Sequence, residues 1–102
     1  MEQQQNNQQS NQQQVQVKIS DEVLKGSYAN MAQVAHTPEE FVLDFMNIMG
    51  GAGIVTARVI MSPQHMKRVV AAMQENIKRY EEQFGEIKGG TDQQPHIGFR
   101  TE

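Results

Sequence analysis

The chain has 102 residues, a net charge of −3, 37% hydrophobic residues and no cysteine. These values exclude a disulfide scaffold, thiol chemistry and a cysteine-rich zinc module, and no apolar run approaches the ~18 residues of a membrane-spanning helix. The length allows one small domain at most.

Residues 1–14, MEQQQNNQQSNQQQ, hold eight glutamines and three asparagines. They cannot bury apolar surface against the cost of ordering their backbone, and a disordered tail is expected there. With no basic start, apolar stretch or cleavage site, this segment does not read as a signal peptide. The other end, 89–102, opens with Gly89-Gly90 and continues TDQQPHIGFRTE, a composition that predicts a second flexible tail. Only Ile97 and Phe99, at alternate positions, are placed to tuck against a neighbour. Residues 15–88 form the predicted folding unit.

Within that unit, Val15, Val17 and Ile19 alternate with Gln16 and Lys18, the period of a half-buried strand. Ser20-Asp21-Glu22 and Lys25-Gly26 bracket a break. Residues 27–35, SYANMAQVA, give a second, weaker strand with Tyr28, Ala32 and Val34 on one face, and His36-Thr37-Pro38-Glu39 turns the chain. Residues 40–48, EFVLDFMNI, support two readings. Thr37-Pro38-Glu39-Glu40 resembles a helical capping box, with Phe41, Phe45, Ile48 and Met49 on one helical face. Against it, Phe41, Leu43 and Phe45 alternate in an aromatic and β-branched run. Strand is favoured. Residues 54–61, IVTARVIM, follow the MGGAG turn as the firmest strand.

The helix at 63–84 has a capping residue in Ser62 and proline at its first position. Met66, Val70, Met73, Ile77, Tyr80 and Phe84 follow at spacings of 4, 3, 4, 3 and 4, an apolar seam widened by Val69. Gly85 is the expected left-handed stop, with Ile87 folding back as in a Schellman ending. The fold class is therefore α+β: about four antiparallel strands, then one long amphipathic helix whose seam packs on one sheet face.

A hairpin centred near Gly51 sets Asp44 opposite Arg58, Leu43 opposite Val59 and Phe45 opposite Ala57. One face is then wholly apolar and receives the helix. On that register the other face carries Met31, Val42, Met46, Ile54 and Ile60 around an Asp44–Arg58 ion pair. Such a patch is too apolar for an exposed surface. Its cheapest cover is another copy of the chain, packed sheet to sheet as a dimer or tetramer. Substituting Met73→Asp or Ile77→Asp on the buried seam is expected to unfold the domain.

Chemistry-bearing groups are sparse. His36, His65 and His96 have no metal-ligand spacing and read as surface histidines. MGGAG resembles a small nest but lacks the lysine and helix of a phosphate loop. Asp44 with Glu39 or Glu40 suggests acid–base work, although pairing with Arg58 accounts for it without a substrate. Lys67-Arg68 and Lys78-Arg79 recur on nearly one helix face, ~16 Å apart, a spacing suited to phosphate contacts. Glu75 and Glu82 share that face, so a solvated mixed-charge surface is the stronger reading. No catalytic, cofactor or metal site is predicted, and no membrane association.

Tyr28-Ala29-Asn30, His36-Thr37-Pro38-x-x-Phe41-Val42-Leu43-Asp44-Phe45, Met61-Ser62-Pro63-Gln64-His65 and Gln74-Glu75-Asn76-Ile77-x-x-Tyr80-Glu81 resemble a family of small bacterial proteins. It is the domain-of-unknown-function family numbered 3467, and the Gln/Asn-rich start looks like members from Bacteroidetes. The resemblance implies a small cytoplasmic protein and carries no functional residues with it. Strands followed by one long helix also resemble, loosely, the bacterial export chaperone SecB, which packs sheets and helices into tetramers. Three functions follow as expectations. The first is a non-enzymatic, self-associating protein-interaction module with itself or another protein as partner. The alternatives are a nucleic-acid accessory protein using Lys67, Arg68, Lys78 and Arg79, and a SecB-like holdase.

Overall fold

The computed structural model describes residues 14–89. The two predicted tails, apart from Gln14 and Gly89 at their inner ends, lie outside the described residues, as do His96, Ile97 and Phe99. The described residues form α1 (Asp21–Leu24), β1 (Met31–His36), β2 (Phe41–Met49), β3 (Ala52–Met61) and α2 (Pro63–Phe84). The sheet is antiparallel with order β1-β2-β3. The α+β class holds, with three strands rather than four.

The missing strand is 15–19, which is non-regular and exposed despite its alternation. Alternation makes a strand only where a sheet edge accepts it. Ser20, at the edge of the expected break, instead caps the single turn of α1 by accepting a hydrogen bond from Val23 N–H.

Of the two readings of 40–48, the strand holds and the helix does not. Residues 41–49 are the central strand, yet Thr37 also acts as a cap. Its Oγ1 accepts from the N–H groups of Glu39 and Glu40, at 3.2 Å each, while Thr37 N–H donates to the Glu40 carbonyl. The threonine that would begin a helix closes the β1–β2 hairpin loop instead. Long-range pairing of β2 on both edges outweighs the local helix signal.

The β2–β3 register sets Asp44 opposite Arg58, Leu43 opposite Val59 and Phe45 opposite Ala57, as the apolar pattern required. Gly50 and Gly51 close this hairpin, and Gly50 takes the positive φ of 62° that a two-residue turn demands. The register then slips by one: Met46 pairs with Val55 and Asn47 with Ile54. Thr56 is the unmatched residue of a β-bulge on β3, and its hydroxyl donates to the Phe45 carbonyl at 3.0 Å. A one-residue slip turns every later side chain over. Ile54 therefore leaves the face shared by Met31, Val42, Met46 and Ile60, where it was expected, and Val55 takes its place.

Helix α2 starts as predicted, with Ser62 Oγ accepting from His65 N–H at 3.1 Å and Pro63 in the first turn. It ends differently. Gly85 has φ 96° and ψ 169°, an extended positive-φ conformation open essentially to glycine. Ile87 does not close a Schellman motif: its N–H donates to Glu81 Oε2 at 3.0 Å.

The larger departure concerns where α2 lies. The strands pack extensively on one another, but α2 makes only marginal contact with them, and no residue of the helix is buried. Val70, Met73, Ile77, Tyr80 and Phe84 are 39–66% exposed. A single residue, Ser62, joins β3 to α2, shorter than the 2–6 residues that usually let a helix turn back across its sheet. Among the described residues the buried apolar side chains are Met31, Leu43 and Met46.

Candidate functional site

The sheet has two distinct faces. Paired residues of antiparallel strands share a face, so Val34, Leu43 and Val59 lie on one, with Phe41 and Phe45 beside them. Leu43 is buried there, Phe41 and Phe45 are half-buried, and Val34 and Val59 are exposed. The opposite face carries Gln33, Asp44 and Arg58 in one row. Met31 and Met46 flank that row and are already buried within one chain, Val42 is half-buried, and Ile60 is exposed. The proposed sheet-to-sheet patch is thus smaller than the sequence suggested.

Arg58 holds Asp44 through two parallel bonds, Nε to Oδ1 at 2.6 Å and Nη2 to Oδ2 at 2.9 Å. The fork geometry matches the planar carboxylate. These charge-assisted bonds and the nearby guanidinium pull the Asp44 carboxyl below its ordinary value, outweighing the upward push of burial. Arg58 is correspondingly raised by the same partner. Glu40 stands four residues up the chain, ~13 Å at strand rise. The acid–base pairing of Asp44 with that glutamate has no geometric support.

His36 packs its ring on Phe41 at 5.5 Å between centroids, and His65 is exposed in the first turn of α2. Among the described residues, no three His, Cys, Asp or Glu side chains are grouped as metal ligands. No described helix is long and apolar enough to cross a membrane. Of the four basic candidates on α2, Arg79 is engaged by Glu75 at 3.2 Å. Lys67 lies instead on the rim of an open cleft of about 600 Å³, between Phe41 and the first half of α2 with Met66 and Val70 in its lining. At the far end of the helix, the Tyr80 and Phe84 rings lie against each other with centroids 5.0 Å apart and planes tilted by 48°.

Two structural residues had little or no signal in the sequence. Asn30 precedes β1 and uses its side-chain amide as a substitute peptide group: Nδ2 donates to the Ile48 carbonyl and Oδ1 accepts from Ile48 N–H, both at 2.9 Å. An asparagine beside a strand start is the only available hint. Thr56, the bulge residue, carries no hint, because threonine is an ordinary strand residue.

A three-stranded antiparallel sheet followed by a long, uncovered amphipathic helix defines the class: a small α+β protein whose apolar surface exceeds what its own fold covers. The chain belongs to the family described as Protein of unknown function (DUF3467), whose sequence model matches residues 1–89. Comparison with curated proteins and with solved structures gives no match.

Proposed function

We propose that the protein is a non-enzymatic, self-associating interaction module of the cytoplasm. One observation carries this reading: the seam of α2 exposes Val70, Met73, Ile77, Tyr80 and Phe84 together. A contiguous apolar stripe of that length is a surface a soluble chain covers with a partner. Sedimentation equilibrium of the full chain at micromolar concentration tests it. A concentration-dependent dimer or tetramer is expected, and a clean monomer at all concentrations overturns it.

A holdase is the second reading, favoured by the exposed Val34 and Val59 on the sheet face beside half-buried Phe45. Suppression of aggregation of a reduced, unfolded client protein tests it. The nucleic-acid reading is weaker, because Glu75 already neutralises Arg79; failure to retard DNA or RNA at low salt is the expected outcome.

A further inference from the structure

Resting on the self-association just proposed, we infer that two copies of the chain pair through their α2 helices in antiparallel orientation, with Lys67 of each copy meeting Glu81 of the other. The spacing of the seam is the first ground. Met66, Val70, Met73, Ile77, Tyr80 and Phe84 repeat at alternating steps of four and three, which is the seam of a two-helix coiled coil. Turned end for end on a second copy, Met66 meets Phe84, Val70 meets Tyr80, and Met73 meets Ile77. Every layer is apolar.

The flanks decide orientation. Lys67, Gln74 and Glu81 follow one another at steps of seven along one side of the seam. In the antiparallel arrangement this flank lies against its own copy reversed: Lys67 beside Glu81, Gln74 beside Gln74, and Glu81 beside Lys67. Opposite charges meet at both ends of the interface. A parallel arrangement places Gln74 beside Val69 and Glu81 beside Asn76, and it leaves Lys67 and Glu81 four turns apart. Charge complementarity selects partner orientation in this way.

The shape of the chain fits the same pairing. The cleft beside Phe41, lined by Met66, Lys67 and Val70, sits where the paired Tyr80 and Phe84 rings of the second copy arrive. Those two rings are 50% and 66% exposed. Glu81 spends Oε2 on Ile87 N–H, and its Oε1 takes no hydrogen bond among the described residues. The exposed seam amounts to roughly 500 Å² per chain, about 1,000 Å² in all, the lower bound for a specific interface.

Charge reversal tests the pairing. Sedimentation equilibrium is run on the full chain, on Lys67→Glu, on Glu81→Lys, and on their equimolar mixture, with circular dichroism reporting helix content. Each reversed variant should keep its helix and dimerise at least about tenfold more weakly. The mixture should recover wild-type affinity, because both contacts of the heterodimer then join opposite charges. Lys67→Gln and Glu81→Gln serve where a reversal disturbs the helix, each weakening the dimer by a smaller factor. A wild-type oligomer indifferent to all of these changes, or a mixture no tighter than its components, overturns the antiparallel pairing and leaves self-association standing. A wild-type monomer overturns both.

Discussion

Arg58 grips Asp44 with both arms of its guanidinium, yet the two residues are buried unequally: the Asp44 side chain is 9% exposed and that of Arg58 56%. The carboxylate depends on the pair for its solvation, whereas the guanidinium keeps water on its outer side. Truncating the two partners should therefore have different consequences.

Arg58→Ala strands a buried carboxylate and is expected to lower Tm by roughly 5–10 °C, against less than about 5 °C for Asp44→Ala. Asp44→Leu with Arg58→Met should recover much of the loss, since replacing both members with apolar groups removes the stranded charge. Thermal melts of the two alanine variants and their double, at one protein concentration, give the coupling. Strict additivity within about 0.5 kcal/mol would show that the pair does not act as a unit.

The same pair sets a pH response. Because the folded-state Asp44 carboxyl titrates below its ordinary value, the unfolded chain takes up this proton first as pH falls. The pair's contribution is therefore complete above the ordinary aspartate range, about pH 4, and disappears as pH drops through the lower folded value. The difference in Tm between wild type and Asp44→Asn should be constant from pH 7 to about 5 and shrink below about 4. A difference that grows on acidification contradicts the assignment.

Asn30 holds the end of β2 by pairing with both backbone groups of Ile48. Asn30→Ala should cost about 1–2 kcal/mol, for two hydrogen bonds at a partly solvated site. Asn30→Asp keeps the acceptor for Ile48 N–H but sets a second, anionic acceptor against the Ile48 carbonyl, and should cost at least as much as Asn30→Ala at neutral pH. Hydrogen exchange at the Ile48 amide reads this directly. Unchanged protection in Asn30→Ala would mean that the side chain is dispensable there.

Thr56→Val removes the hydroxyl that satisfies the Phe45 carbonyl at the bulge while keeping the branched shape. A loss of about 1 kcal/mol is expected in urea melts, with an unchanged denaturant slope. A neutral result would assign the bulge to backbone geometry alone.

Met73→Asp and Ile77→Asp, expected from sequence to unfold the domain, have a different outcome on this fold. Both side chains are about half-exposed within one chain, so a carboxylate there stays hydrated. The variants should remain folded by circular dichroism and sediment as monomers. Loss of the sheet signal would place the seam against the sheet after all.

The elements with strong local signatures were legible in the residues alone. Ser62-Pro63 and a six-member apolar seam specify α2 without help from elsewhere, because capping and 3.6-residue periodicity are properties of a single segment. The alternation of Leu43 and Phe45 against Ala57 and Val59 likewise gave the hairpin register and with it the Asp44–Arg58 pair. The remainder depended on contacts between segments. Val15, Val17 and Ile19 have a strand's pattern but find no edge, and Thr37 caps a loop because β2 is claimed by strands on both sides. Thr56 shifts the register, and so moves Ile54 to the other face, through a backbone bulge that leaves no mark on composition. Helix α2 stands off the sheet because one residue, Ser62, joins it to β3. An amphipathic pattern shows that an apolar face must be covered, whereas the length and direction of the connections decide whether the chain can cover it itself.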